Sequence, residues 1–318
     1  MSTQKSFHLM DPDLKKHIDL FPVGVVLTKE MLPFIREQTK AQMKPVPEEL
    51  PVVVTETFIP GPPDAPDVRV ILIQPKERSA PSPGYLDIHG GGMILGTADA
   101  GNYENAMLCA ELGCTVVSVD YRLAPETPSP GPIEDCYAAL RWMHANALEL
   151  GIDRDKIAIG GGSAGGGLAA SLALLARDRG EVNILFQRLQ FPMLDDRTCI
   201  ADSNPYNGEY VWTRECNTLG WKSLLGHDPG AEGVSPYAAP ARAEDLTGLP
   251  ATFISVGAID LFAEECIEYA KRLIRAGVPT ELHVYPGAPH GFHFVEDARV
   301  TIAEKRDVLE ALRRAFYG

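Results

Sequence analysis

The chain has 318 residues, of which 45% are hydrophobic and 23% are charged, a balance typical of a globular protein with a large core. Its net charge of −14 disfavours nucleic acid and anionic membrane surfaces as partners. The N-terminus lacks the apolar stretch of a signal peptide, and no run of about 18 apolar residues occurs. We therefore expect a cytoplasmic protein without a membrane span. None of the six cysteines forms a C-x-x-C pair, so they are expected to be buried free thiols.

Residues 1–48 are predicted to be helical and to stand apart from the rest of the chain. Asp11-Pro12-Asp13 is a helix-start signal, because proline fits the first turn of a helix. Thr28 is expected to cap a second helix from Lys29 to Met43. The apolar residues of that helix that fall roughly on one face are Met31, Leu32, Phe34 and Ile35.

From Val52 onward, short β-branched runs alternate with helical stretches. The runs predict strands at 52–54, 68–73, 85–88, 115–119, 156–159, 188–191, 252–256 and 281–285. Helices are predicted at about 133–149, 164–178, 263–276 and 298–316. This alternation is typical of the α/β class, with a mostly parallel sheet covered by helices on both faces.

Residues 195–235 interrupt the alternation. They contain polar loops and then a predicted helix from Thr213 to Leu225. A long excursion between two strands is usually functional, for example a lid over a binding site.

The pentapeptide Gly161-Gly162-Ser163-Ala164-Gly165 fits the G-x-S-x-G pattern. An apolar strand precedes it and an Ala- and Leu-rich helix follows, which is the strand–turn–helix of a nucleophile elbow. The glycines are needed because the turn leaves no room for Cβ atoms beside the serine. The alternative is a Gly-rich helix start that packs closely on a sheet. The context favours Ser163 as a nucleophile.

His89-Gly90-Gly91-Gly92 directly follows a predicted strand. Consecutive glycines let backbone N–H groups point into a cleft, so Gly91 and Gly92, with Ala164, are candidate oxyanion-hole donors. Gly90 is an alternative to either, because sequence does not decide which two amides face inward. Phosphate binding is disfavoured, since no lysine follows in P-loop spacing. His89 is expected to be a structural hydrogen-bonding residue.

A histidine base is expected at the carboxyl edge of the sheet, where open α/β folds bind ligands. His290 lies in the loop after the last predicted strand, and His293 is its rival three residues on. The H-x-x-H spacing of His290 and His293 could also indicate a metal site. No third ligand is placed nearby in the sequence, so no metal is expected.

The acid that orients the base is assigned to Asp260, which follows the strand 252–256 through a short loop. Ser163, Asp260 and His290 then stand in the chain order that hydrolases of this strand–turn–helix type use. Glu264 and Glu265 are the alternatives, but they fall inside the next helix and are expected to cap it or to face solvent.

The chain resembles the bacterial hormone-sensitive-lipase family of esterases in motifs spread over residues 89–292. The motifs are HGGG at 89–92, DYRLAPE at 120–126, GSAGG at 162–166, DLFAEE at 260–265 and HGF at 290–292. Gly162 departs from the family, which often has Asp, Thr or Glu there. Asp87 is an acid in a central strand that needs a partner if it is buried, and Arg122 is the candidate.

The resemblance implies an α/β-hydrolase fold with an eight-stranded, mostly parallel sheet, no cofactor, and hydrolysis of short-acyl esters. It also implies a helical cap, here assigned to residues 1–48 and 195–235, over a single catalytic core of residues 49–194 and 236–318. Packing of residues 1–48 on the outer sheet is the alternative. Residues expected near the substrate entrance are Phe21, Met31, Phe34, Met93, Tyr206 and Trp212.

The function predicted from sequence is that of a serine carboxylesterase acting on short- to medium-chain acyl esters through an acyl-serine. The expected partner is a small-molecule ester, and a homodimer is left open. An amidase, a lactonase or a deacetylase acting on one metabolite remains an alternative within the same chemistry. A non-catalytic ligand receptor is disfavoured, because such relatives typically lose a member of the triad.

Overall fold

The computed structural model describes residues 4–41, 43–77, 81–202 and 204–318. Eight strands form one sheet: β1 (Val52–Ile59), β2 (Val68–Pro75), β3 (Ser82–Ile88), β4 (Thr115–Asp120), β5 (Ile152–Gly162), β6 (Phe186–Gln190), β7 (Ala251–Gly257) and β8 (Thr280–Tyr285). Their order across the sheet is β1-β2-β4-β3-β5-β6-β7-β8. β2 pairs antiparallel with both β1 and β4, and the remaining neighbours are parallel. The predicted α/β-hydrolase fold is confirmed.

The α-helices among the described residues are α1 (Pro12–Lys15), α2 (Leu32–Ala41), α3 (Asn102–Leu112), α4 (Gly131–Ala145), α5 (Ala147–Leu150), α6 (Ala164–Arg179), α7 (Arg214–Leu225), α8 (Ala263–Arg275) and α9 (Arg299–Tyr317). Helices α3 and α9 pack on one face of the sheet, and α4, α6 and α8 pack on the other. Because side chains alternate along a strand, β2 sends Ile71 and Ile73 into one core and Val70 and Leu72 into the other.

Several local predictions need correction. Helix α3 was not predicted from the sequence, because its buried residues Ala106, Cys109 and Leu112 are mostly small and make a weak apolar stripe. The predicted helix 29–43 is a 3₁₀ turn at Lys29–Met31 followed by α2, and Thr28 makes no side-chain capping bond. Gln42, within the predicted span, lies outside the described residues. Asp11 does cap α1, where its carboxylate accepts the N–H of Asp13 at 2.8 Å.

The predicted helix at the end of the 195–235 excursion is confirmed as α7. The hydroxyl of Thr213 accepts the backbone N–H of Cys216 at 3.3 Å and so caps the helix start. All six cysteines are buried and free of disulfides, as expected. No helix in the described ranges is long and apolar enough to cross a membrane.

Candidate active site

Ser163 lies at a sharp turn between β5 and α6, at the carboxyl edge of the sheet. Its backbone takes φ 56° and ψ −121°, a region that non-glycine residues rarely occupy. The Ser163 N–H donates to the carbonyl of Gln190 at 2.9 Å, which ties the turn to β6. A Cβ at Gly161 or Gly165 would overlap the Ile88 carbonyl oxygen, so the turn admits only glycine at these places. The strand–turn–helix predicted around Ser163 is therefore confirmed.

His290 connects Ser163 to Asp260. Its Nε2 lies 3.1 Å from Ser163 Oγ, and its Nδ1 lies 2.8 Å from Asp260 Oδ2. The other carboxylate oxygen of Asp260 accepts the Phe262 N–H at 3.0 Å, which holds the acid in place. Asp260 is fully buried, and Ser163 and His290 are 7% and 6% exposed. The three residues predicted from separate loops thus form one hydrogen-bonded chain in a site with little solvent.

Two aromatic rings hold the imidazole of His290 edge-on. Phe191 and Phe262 have ring centroids 5.0 Å and 5.3 Å from it, with interplanar angles of 74° and 86°. This role of Phe191 and Phe262 was not predicted from the sequence. A usable signal was that Phe191 ends the predicted strand 188–191, at the edge where Ser163 and Asp260 are also expected.

His293, the rival base, is partly buried beside this cluster, and no hydrogen bond joins it to Ser163. Its ring stacks on Phe191 at 5.3 Å, and its Nδ1 has no hydrogen-bond partner among the described residues. Burial, and then the nearby His290, lower the pKa of His293 to about 3. His293 is therefore a neutral packing residue at working pH, and the geometry favours His290 as the base.

The loop after β3 lies against Ser163. A Cβ at Gly90 would come within 2.9 Å of the Gly162 carbonyl oxygen. Gly91, Gly92 and Met93 have φ values of +115°, +62° and +66°, so three successive residues take conformations that L side chains avoid. Within the described parts of the chain, the Gly91 and Gly92 N–H groups donate no hydrogen bond, which leaves them for a ligand.

His89 acts as a structural residue at the start of this loop, as expected. Its Nδ1 lies 2.8 Å from the Gly90 carbonyl oxygen, and its ring stacks on Tyr121 with centroids 4.2 Å apart. The Tyr121 hydroxyl donates to the His89 carbonyl at 3.0 Å. Burial lowers the pKa of His89, so the ring is neutral and fixed away from base chemistry.

The predicted pairing of Asp87 with Arg122 is wrong. Asp87 accepts hydrogen bonds from Asn105 Nδ2 at 2.8 Å and from Ser118 Oγ at 3.1 Å, because β4 and α3 lie beside β3. Arg122 instead binds the fully buried Asp135 through Nε at 2.8 Å and Nη2 at 2.7 Å.

The expectation that Glu265 caps its helix or faces solvent is also wrong. Its side chain is 9% exposed and accepts the N–H of Leu194 at 2.6 Å and the hydroxyl of Thr198. Glu265 thus ties the start of the 195–235 excursion to α8. Glu264 is exposed and accepts a bond from Asn204 at 3.1 Å.

The N-terminal segment and the excursion are bound to each other. Val23 and Tyr210 form a β-bridge, the Val211 N–H donates to the Pro22 carbonyl at 2.8 Å, and the Ser6 N–H donates to Glu209 at 2.7 Å. The segment also reaches the loop before His290, where the Asp11 N–H donates to the Gly287 carbonyl at 3.0 Å.

The residues expected at the substrate entrance divide into two groups. Phe21, Met93 and Trp212 are buried, whereas Met31, Phe34 and Tyr206 are exposed, Phe34 by 68%. Trp212 lies against the candidate oxyanion loop, since a Cβ at Gly92 would overlap its indole ring. Tyr206 contacts the ring of His8 with centroids 5.9 Å apart. No group of three His, Cys, Asp or Glu residues in the described ranges is arranged to hold a metal.

Comparisons with known proteins agree with this geometry. Residues 85–294 match the family of the α/β-hydrolase fold. The chain is 34% identical to the carboxylesterase NlhH of Mycobacterium tuberculosis, over 97% of both chains. It is 33% identical to the esterase LipI of the same organism, over 89% of this chain and 88% of LipI. A solved bacterial heroin esterase superposes with a TM-score of 0.91 at 40% identity, over 99% of this chain and 100% of that one.

Proposed function

Because the chain belongs to the α/β-hydrolase family and is a serine carboxylesterase of its hormone-sensitive-lipase group, we propose that Ser163, Asp260 and His290 are its catalytic triad. The observation that carries the proposal is the hydrogen-bonded chain through His290, with 3.1 Å to Ser163 Oγ and 2.8 Å to Asp260. Both ring nitrogens of His290 are then engaged, which fixes the ring for proton transfer.

In the proposed reaction, Ser163 Oγ attacks the ester carbonyl carbon while His290 Nε2 takes the hydroxyl proton. The carbonyl oxygen becomes an oxyanion, which the N–H groups of Gly91, Gly92 and Ala164 stabilise, with Gly90 as the alternative donor. Collapse breaks the bond to the alkoxy oxygen, and His290 returns its proton to the leaving alcohol. Water then attacks the acyl-serine carbonyl carbon while His290 takes a proton from it. Collapse of this second tetrahedral intermediate breaks the acyl–Oγ bond, and His290 returns the proton to Ser163 Oγ as the acid is released.

We propose acyl chains of short to medium length as the substrate class. The bulky indole of Trp212, beside Gly92, supports a limit on the space next to the reacting carbon. A solved relative is named a bacterial heroin esterase, and heroin carries acetyl groups on a bulky ring system, which supports a short acyl group on a large leaving group.

A screen with p-nitrophenyl esters of graded acyl length tests the proposal. We expect the highest kcat/KM on short to medium chains, and Ser163→Ala is expected to remove nearly all activity, since losses reach about 10⁶-fold where triad groups act as a unit. A fluorophosphonate should label Ser163 and no other serine. An alanine variant that kept about a tenth of the activity would reject Ser163 as the nucleophile.

We further propose that residues 1–48 and 195–235 form a cap over a core of residues 49–194 and 236–318. The bonds between the two segments, and the contact of Trp212 with Gly92, support this division. Phe21 and Met93 belong to the buried part of the same region, and Met31, Phe34 and Tyr206 are proposed to line its open side.

For assembly we propose a homodimer formed at the edge strand β8. This strand has a neighbour on one side only, and its Val284 is 40% exposed. Light scattering on the intact protein tests this, and a monomer at micromolar concentration would reject it. A cytoplasmic location is proposed from the six buried cysteines, which form no disulfide, and cell fractionation tests it.

A further inference from the structure

One arginine of the N-terminal segment binds the loop that carries the proposed oxyanion donors. Arg36 lies in α2, and its Nε donates to the carbonyl of Ile94 at 2.9 Å. Its Nη2 donates to the carbonyl of Ala124 at 2.9 Å. The same guanidinium forms a fork with Glu126, at 2.9 Å and 3.0 Å to the two carboxylate oxygens.

These contacts add to a backbone hydrogen bond that already links the loop after β3 to the segment around Ala124. The Ala124 N–H donates to the carbonyl of Met93 at 2.9 Å, and Met93 is covalently joined to Ile94. Arg36 therefore binds both of the segments that the Ala124–Met93 hydrogen bond already connects, one through the Ile94 carbonyl and the other through the Ala124 carbonyl. The Arg36 side chain is 20% exposed, so these bonds are shielded more than those of an ordinary surface arginine.

The loop needs such a restraint because its backbone is unfavourable. Gly91, Gly92 and Met93 all have positive φ, and Met93 carries a side chain in that region. Such conformations persist only where the surrounding structure over-determines them. The carbonyl of Gly91 accepts the Ile94 and Leu95 N–H groups at 3.1 Å and 2.8 Å. The carbonyl of Ile94 in turn accepts Nε of Arg36, a residue that lies outside the loop.

We propose that Arg36 is a positioning residue of the esterase reaction, which holds the loop so that the Gly91 and Gly92 N–H groups face the oxyanion. The inference rests on the proposed triad and oxyanion hole. Arg36 touches neither the substrate nor the reacting atoms. Its contribution is greater in the transition state than in the ground state, because the oxyanion exists only after attack on the carbonyl.

The experiment compares Arg36→Met, Arg36→Lys and Glu126→Gln in the full chain on p-nitrophenyl butyrate. Arg36→Met removes all the donors and should lower kcat about tenfold, with KM changed by less than about threefold. Lysine lacks the planar fork and should restore only part of the loss. Glu126→Gln leaves both carbonyl bonds in place and should keep kcat within about twofold of the wild type.

Arg179→Met is the matched control. Arg179 forms a similar fork with Glu134, at 3.0 Å and 2.6 Å, but at the far end of α6 from Ser163. The 16 residues of α6 separate the two ends by about 24 Å. This variant should leave both kinetic constants unchanged, so it measures what the loss of any such ion pair does to the enzyme.

A second readout separates positioning from general structural damage. An alkyl trifluoromethyl ketone adds to the serine and forms an oxyanion, whereas the corresponding alcohol binds without one. In Arg36→Met the inhibition constant of the ketone should rise by about the factor by which kcat/KM falls, and that of the alcohol should stay unchanged. Equal weakening of both ligands, or of neither, would overturn the role of Arg36.

The outcomes also separate this inference from the proposed triad. A wild-type enzyme that did not bind the ketone would overturn the serine chemistry and the role of Arg36 together. A wild-type enzyme that binds it, with an Arg36→Met variant indistinguishable from Arg179→Met, would overturn the role of Arg36 alone. If Arg36→Met does not fold, Arg36→Lys carries the same comparison, and unchanged kcat in that variant would reject the proposal.

Discussion

The turn at Ser163 depends on contacts that a single methyl group would break. A Cβ at Gly165 would lie 2.6 Å from the carbonyl oxygen of His89 and closer still to that of Ile88. Carbon and oxygen atoms normally approach to about 3.3 Å, so the His89 contact alone requires Gly165→Ala to push the start of α6 and the end of β3 apart by about 0.7 Å, and the closer Ile88 contact requires more. Both elements carry proposed catalytic groups, since Ser163 precedes the helix and the oxyanion loop follows the strand.

The expected cost follows from that displacement. Overpacking a close contact typically costs about 1–3 kcal/mol of stability. With an unfolding entropy of about 2.1 cal/mol/K per residue, 318 residues convert this to a fall in Tm of about 2–5 °C. Misplacing a nucleophile by nearly 1 Å costs up to about 100-fold in rate, so kcat/KM should fall about 100-fold in Gly165→Ala.

The assay is steady-state hydrolysis of p-nitrophenyl butyrate, with Tm from circular dichroism. Gly180→Ala is the control, because Gly180 ends the same helix at φ +66° with no atom within 4 Å of an added Cβ. It should lose about 1 kcal/mol of stability and no activity. If Gly165→Ala showed the control's pattern, with activity within about threefold of wild type, the elbow would relax without moving Ser163, and the steric reasoning would be refuted.

Three further predictions concern the two histidines and the cap. His290→Ala should lose as much activity as Ser163→Ala, whereas His293→Ala should lose much less, and the opposite ranking would move the base to His293. The pH–rate profile of the His293→Ala variant should still fall in acid, as that of the wild type does. Because burial lowers the pKa of His293 to about 3, the unfolded chain takes up its proton below about pH 6.5 while the folded chain does not, so stability falls as pH drops from about 6.5 towards 3. By pH 5 this amounts to at most about 2 kcal/mol, because the ring is only partly buried and solvent screens part of the effect. Urea unfolding of His293→Phe should therefore change less between pH 7.5 and pH 5 than that of the wild type, and parallel curves would contradict a lowered pKa for this imidazole. A chain lacking residues 1–40 should keep its fold by circular dichroism but lose substrate binding and change its acyl-length preference, and unchanged kinetic constants would show that the segment is not a cap.

Features that depend on a few neighbouring residues were predictable from the sequence. The turn at Ser163 needs glycines on both sides, and that need is visible in the pentapeptide itself. Asp260 and His290 each follow a predicted strand through a short loop, so both are expected at the carboxyl edge of a parallel sheet without knowledge of strand order. All eight strands were found for the same reason, because alternation and β-branching are local signals.

Tertiary structure decided what distant elements do to one another. The sequence favours His290 but leaves His293 as a rival three residues on; in the folded chain Phe191 contacts both rings, and His290 is the one whose Nε2 reaches Ser163. Asp87 is bound by Ser118 rather than Arg122 because β4 lies beside β3, an order that no local pattern encodes. Arg36 looks like an ordinary helix arginine, and its contact with Ile94 exists only because α2 folds back onto the loop after β3. Backbone preferences act within a few residues, whereas these partnerships depend on which surfaces the folded chain brings within hydrogen-bonding distance.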